Sequence, residues 1–254
     1  MNRIQKIFQN RTEKIIPFLT AGYPAKEDTI AMVLAAEKAG AAMIELGMPF
    51  SDPLADGPTI QESSHKAIEN GVTIQWILDK VARIRQQSEI PLALMGYINP
   101  IQKYGLKKFM SNCRDVSVDG LIIPDLPPEE AEEYIQCARE NGISPILLVA
   151  PNTPAIRIKE ISEMAGSLIY CVAIFGITGS GSAVEEELKS YLQRVEQNSA
   201  CPFVVGFGIK ERSDVVEING MAHGAVVGSA IIAEIKKTGN PVEAVKNYIE
   251  KLKQ

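Results

Sequence analysis

Eight short apolar runs, separated by segments of helical period, constrain this chain of 254 residues more than any other feature of its sequence. The runs are Ile15–Thr20, Met43–Leu46, Pro91–Met95, Gly120–Ile123, Pro145–Ala150, Ser167–Ala173, Pro202–Val205 and Gly224–Val227. They are rich in Ile, Leu and Val and do not alternate with polar residues. Such runs suit strands covered on both faces, as in a parallel sheet. Between them, stretches such as Glu27–Gly40, Pro127–Gly142 and Val184–Asn198 place apolar residues at i, i+3 and i+4, with charged faces and acidic starts. Gly40, Gly142 and Gly166 stand where helix C-caps fall. Eight strands alternating with helices predict an α/β fold, a single (β/α)8 TIM barrel over residues 1–254. An open doubly wound sheet is the alternative, but it usually carries GxGxxG after its first strand, and that motif is absent. We expect an N-terminal helix and extra helical segments after the second and eighth strands, the former over Thr59–Asn70 and Thr73–Gln87.

Composition narrows the function classes. Lys plus Arg is 26 and Asp plus Glu is 31, for a net charge of −5, and no basic run exceeds a pair. That is no electrostatic footprint for nucleic acid. The four cysteines, at 113, 137, 171 and 201, form no CxxC pair or dense disulfide framework. Cys171 and Cys201 read as small core hydrophobes. The first residues lack the apolar segment of a secretory signal, and no apolar stretch is long enough to span a membrane. The expectation is a soluble protein of the reducing cytoplasm.

Two sets of residues carry candidate chemistry. Glu45 lies inside the second apolar run, where a carboxylate is costly to bury without a partner. It is either a strand-end carboxylate satisfied by backbone N–H groups or an arginine, or a functional group. Asp56 follows in a loop stiffened by Pro49, Pro53 and Pro58. Turn chemistry alone accounts for the Asp-Pro and Asp-Gly pairs, yet two carboxylates at a barrel mouth also suit acid/base work. The second set is Gly-rich turns after the last three strands: Gly176 to Gly179, Gly206 to Gly208, and Gly228-Ser229, which opens a helix. Barrels commonly bind phosphate in these loops and at a short helix N-terminus. His65 reads as a solvated helix residue, His223 as structural, and Trp76 as a helix-face anchor. No cluster has metal-ligand spacing.

The run Glu45-Leu46-Gly47-Met48-Pro49-Phe50-Ser51-Asp52-Pro53-Leu54-Ala55-Asp56-Gly57-Pro58 closely resembles the signature of the tryptophan synthase alpha chain family. The likeness extends through Pro17–Pro24, Met95–Pro100, Asp119–Pro127, Gly206–Ile209 and Val227–Ala230. It implies a carbon–carbon lyase that cleaves indole-3-glycerol phosphate to indole and glyceraldehyde 3-phosphate. By the same resemblance, Glu45 is the acid/base and Asp56 binds the indole N–H. Indole lies among Phe18, Met95, Ile122, Leu148, Tyr170 and Phe207. Phosphate takes N–H groups near Gly179, Gly208, Gly228 and Ser229, and Thr178 closes toward Asp56 from a lid. The resemblance also implies an α2β2 heterotetramer with a beta chain that consumes the indole. Pyridoxal phosphate belongs to that beta chain, and this chain has no cofactor of its own.

The lid departs from the family pattern. Where Ser-Arg-x-Gly-Val-Thr-Gly is usual, this chain has Ala173-Ile174-Phe175-Gly176-Ile177-Thr178-Gly179. With one charged contact fewer, closure is expected to lean on the beta chain, as is the order of the Asp56 loop. Two other readings compete: a different phosphate-binding barrel, and an idle regulatory partner of the beta chain. The first lacks the signature above; the presence of both Glu45 and Asp56 argues against the second, and the altered lid keeps it open.

Overall fold

Each of the eight apolar runs contributes a strand that pairs in parallel with the next, and the eighth pairs with the first, so the sheet closes. The computed structural model describes residues 2–173, 182–206 and 208–254, with backbone alone for 182–185. In chain order the elements are α1 (Arg3–Ile7), β1 (Ile15–Thr20), α2 (Asp28–Lys38), β2 (Ile44–Gly47), α3 (Pro58–Glu69), α4 (Ile74–Arg85), β3 (Leu92–Met95), α5 (Ile98–Tyr104), α6 (Leu106–Asp115) and β4 (Gly120–Ile122). There follow α7 (Glu132–Glu140), β5 (Ser144–Val149), α8 (Ala155–Ala165), β6 (Ile169–Val172), α9 (Ser182–Asn198), β7 (Phe203–Gly206), α10 (Arg212–Met221), β8 (Ala225–Val227), α11 (Ser229–Lys237) and α12 (Pro241–Lys253). The expected N-terminal helix and the pairs after β2 and β8 are present. A further pair, α5 and α6, lies after β3 and was not expected. Gly105, at φ 96°, breaks one helix from the next there. Gly40, Gly142 and Gly166 all take positive φ at helix ends, as their positions predicted.

The strands bury both faces. Outward residues such as Leu19, Leu46, Leu94 and Val205 join Val33, Val81, Phe109 and Ile158 of the surrounding helices. Inward residues Ile16, Met43, Ala93, Ile122, Ile146, Leu168, Val204 and Val226 form a second cluster with Ile4 and Phe8. The N-terminal helix therefore plugs the bottom of the barrel. Gly120 makes room for it, since a Cβ there would lie 2.6 Å from the Ile4 Cδ1 and 2.9 Å from the Ile146 Cδ1.

One buried carboxylate ties this lower face together. Asp119 is 3% exposed. Its Oδ2 accepts from the Leu92 N–H at 2.9 Å and from Arg85 Nη2 at 2.6 Å, and its Oδ1 accepts from Arg3 Nη1 at 3.1 Å. It thus joins α1, α4 and β3. Replacing Asp119 by Ala strands the buried Arg85 guanidinium. We expect a loss of about 3–5 kcal/mol in urea unfolding, the usual result of removing one partner of a buried pair. Arg3→Ala, on the solvent side of the same network, should cost less than about 1 kcal/mol. Equal effects at the two positions would contradict this account.

Candidate active site

Because all eight strands run parallel, the loops that follow them gather at one face, where a closed barrel carries its chemistry. A cleft there is lined by Phe18 and Thr20 of β1, Gly47 of β2, Met95 of β3, Ile60 and Ser64 of α3, and the loop residues Met48, Pro49, Asp56, Gly96, Tyr97 and Pro124. Gly47 has no side chain because the Phe18 ring occupies the space, with Cζ 2.4 Å from where a Cβ would stand.

Glu45 lies two residues below Gly47 on the same inward face of β2. It is 1% exposed, and among the described residues neither carboxyl oxygen has a hydrogen-bond partner. Among the described residues there is no backbone or arginine partner of the kind that would make it structural. Burial pushes its pKa from the ordinary 4.5 up to about 8. Glu45 is therefore protonated at neutral pH, yet close enough to that range to give up its proton.

Asp56 stands on the cleft wall, and its environment differs. The Tyr97 hydroxyl donates to its Oδ2 at 2.9 Å and accepts from the Ala55 N–H at 3.0 Å. Burial raises the Asp56 pKa, and the Tyr97 hydrogen bond opposes that rise. The Tyr97 ring packs against Phe50, with centroids 5.2 Å apart. Tyr97 was not singled out from sequence; its position directly after the third strand was the available signal. These contacts tie the Asp56 loop to the end of β3.

Tyr170 reaches across the interior from β6. Its hydroxyl is held neutral, by burial first and then by the charges of Glu45 and Asp56. A Cβ at Gly206 would fall 2.0 Å from the Tyr170 hydroxyl oxygen, so β7 must carry glycine opposite that ring. Ile122, Leu148 and Met95 share the same inward-facing cluster. Of the residues expected around an aromatic ligand, Phe18 and Met95 line the cleft, while Ile122, Leu148 and Tyr170 lie within the barrel. Phe207, Thr178 and Gly179 lie outside the described residues, as does the lid from Ile174.

Pairing of Gly206 with Val226 brings the loops after β7 and β8 side by side. Gly208 is exposed at φ 21°. Gly228 caps α11, whose first turn has no side-chain cap, so its N–H groups are free of one. A Cβ at Gly228 would lie 3.5 Å from the Ile60 Cδ1 and 3.7 Å from the Phe18 Cβ, so this helix start borders the cleft. Ser229 opens the helix and is exposed.

The other sequence candidates fall away from this centre. His223 accepts from the Phe203 N–H at 3.3 Å below the barrel mouth, a structural contact. Trp76 is partly buried between Lys26 and Lys80. A wider groove on the outer side of α3, between Tyr23, Pro24, Glu62 and Lys66, is open to solvent and holds no second unpartnered buried group.

The family model for the tryptophan synthase alpha chain matches residues 4–254. The tryptophan synthase alpha chain of Petrotoga mobilis is 42% identical over 257 residues, covering 100% of this chain and 99% of that protein. That of Thermoanaerobacter sp. (strain X514) is 44% identical over 261 residues, with the same coverage. The crystal structure of the alpha subunit from Legionella pneumophila superposes with a TM-score of 0.91 at 33% identity, covering 100% of this chain and 98% of that one. A chain of the tryptophan synthase α2β2 complex from Pyrococcus furiosus superposes with a TM-score of 0.89 at 39% identity, covering 94% and 97%. Full-length likeness in sequence and in structure agrees with the family model, and the chain belongs to the tryptophan synthase alpha chain family.

Proposed function

We propose that Glu45 and Asp56 divide the acid/base and electrostatic work of the alpha reaction between them. This chain is a carbon–carbon lyase of that family, which cleaves indole-3-glycerol phosphate to indole and glyceraldehyde 3-phosphate. The observation that carries the division is the contrast between the two carboxyl groups: one buried without a partner, the other held by Tyr97.

Cleavage requires a proton on C3 of the indole ring and loss of the proton from the 3′-hydroxyl of the glycerol chain. The C3–C3′ electron pair then returns to the ring, giving indole and the aldehyde. Glu45, with its pKa near 8, begins protonated and can donate to C3. As a carboxylate it then accepts the hydroxyl proton, and the cycle closes with no net change. As a carboxylate, the form that the Tyr97 hydrogen bond favours, Asp56 binds the indole N–H and offsets the positive charge that ring protonation creates. Two carboxyl groups in unlike environments take unlike roles.

Phe18 and Met95 cover the indole from the cleft walls, with Ile122, Leu148, Tyr170 and Phe207 completing the apolar surround. Gly208, Gly228 and Ser229, with Gly179, bind the phosphate through backbone N–H groups, assisted by the α11 dipole. The chain works as the alpha subunit of an α2β2 assembly, the arrangement named for the Pyrococcus furiosus complex. The indole passes to the beta chain, which carries pyridoxal phosphate. A cytoplasmic location belongs to the same reading.

Glu45→Gln should lower the cleavage rate by about 10²–10⁴ or more, since one group serves two proton transfers. Near wild-type turnover would sink the assignment. The same variant carries a stability signature. The folded protein holds a proton on Glu45 that the unfolded chain releases near pH 4.5. Wild-type stability should thus be full below that pH and fall as pH rises toward 8. Glu45→Gln, always neutral, should lack this decline, with the gap in unfolding free energy opening between pH 5 and about 8. Parallel curves for the two proteins would show that Glu45 ionises freely.

Tyr97→Phe removes the hydroxyl that favours the charged form of Asp56, leaving burial unopposed. Among the described residues, the ionisable side chains around this interior are Tyr170, Glu45, Cys171 and, beside Tyr97, Asp125. None supplies a positive charge in compensation. The acid limb of the kcat/KM profile should therefore move to higher pH in Tyr97→Phe. An unmoved limb would mean that Asp56 does not govern it.

A further inference from the structure

Three residues on one face of α3, at helical spacing i, i+3 and i+4, reach back to the loop that carries Asp56. Gln61 Nε2 donates to the main-chain carbonyl of Asp56 at 2.9 Å and approaches that of Pro53 at 3.4 Å. The Ser64 hydroxyl, 4% exposed, accepts from the Phe50 N–H at 2.8 Å and lies 3.0 Å from the Phe50 carbonyl, to which it donates. One hydroxyl thereby satisfies both main-chain groups of a residue that has just left the sheet. His65 Nε2 lies 3.1 Å from the Ser51 carbonyl, a third point on the same loop. Apart from the Met48 N–H, which donates to the Met95 carbonyl at 2.7 Å where the loop begins, and the Ala55 N–H bound to Tyr97, the main-chain bonds of the loop are local: Leu54 N–H to the Asp52 carbonyl at 2.9 Å and Asp56 N–H to the Pro53 carbonyl at 3.0 Å. They shape the turn without setting where it sits.

The helix is itself fixed to the barrel. The hydroxyls of Ser63 and Thr20 are 2.7 Å apart in the interior, joining α3 to β1. Glu62 pairs with Lys236 of α11 at 2.6 Å. A path of short, directed contacts thus runs from β1 through α3 to the main chain of Asp56. It is independent of the Tyr97 bond to the carboxylate. Phe50, held by Ser64, is the residue against which the Tyr97 ring packs, so the two supports meet there.

We propose that Gln61 and Ser64 are positioning residues for Asp56, acting through the main chain of its loop. The inference rests on the reading of Asp56 as the partner of the indole ring. It assigns part of the ordering of this loop to the chain itself.

The test is a double-mutant cycle in the assembled complex with the beta chain, with indole-3-glycerol phosphate as substrate and single-turnover rates for slow variants. Gln61→Ala and Ser64→Ala should each lower kcat by about 10- to 100-fold, as a misplaced group commonly does. Ser64→Thr, which keeps the hydroxyl, should return to within about threefold of wild type. In an Asp56→Asn background, Gln61→Ala and Ser64→Ala should add less than about twofold, because groups acting through one residue are not additive. Gln61 is only partly buried, so its variant keeps the test open if Ser64→Ala folds poorly. Full kcat in both alanine variants overturns the proposal. So does an undiminished loss in the Asp56→Asn background, which would mean that α3 acts elsewhere. If Asp56→Asn by itself leaves kcat intact, the reading of Asp56 falls first, and this proposal falls with it.

Discussion

Closure of the sheet by pairing Ala225–Val227 with Ile15–Pro17 is the constraint on which the rest of the molecule depends. An open parallel sheet of these strands would leave two edges of unpaired backbone and an interior face without cover. Closed, it turns its inward residues into a packed column, plugged below by Ile4 and Phe8. It also collects every strand end at one mouth. The dry interior then becomes the solvent of whatever polar group the strands carry into it.

That solvent decides what Glu45 is. A carboxyl group in water titrates near 4.5; the same group on the inner face of β2, without a donor, is pushed to about 8. Asp119 shows that this chain can satisfy a buried carboxylate, with two arginines and a backbone N–H. At the bottom of the barrel, where stability is at stake, the partners are supplied. Higher in the interior, Glu45 has none among the described residues. The cost of burying it is offset by the surrounding apolar core, and the gain is a proton donor near neutral pH.

Asp56 illustrates a different use of the fold. Its loop leaves the barrel wall, carries three prolines within or beside it, and exposes Leu54 to 90% at its tip. Tyr97, at the end of β3, bonds its carboxylate from a distant part of the sequence, while Gln61 and Ser64 of the helix that follows bond the main chain of the loop. The Gly57-Pro58 pair that ends the loop also starts the helix that holds it. Loop and support are thus laid down by contiguous sequence, while the carboxylate contact comes from the neighbouring strand.

The sequence by itself determined the barrel. Uninterrupted apolar runs need cover on both faces, and eight of them alternating with amphipathic segments leave few architectures. Gly40, Gly142 and Gly166 marked helix ends for the same local, steric reason, and the run from Glu45 to Pro58 was distinctive enough to point to a family. The second helix after β3 escaped notice because Gly105 reads equally well as a loop residue. Only the tertiary structure decided that Glu45 has no partner among the described residues, that Tyr97 bonds Asp56 and that Tyr170 requires Gly206, since each depends on how separate strands and loops are brought together. No local pattern records whether a buried oxygen finds a donor; that depends on which side chains barrel closure brings within 3 Å.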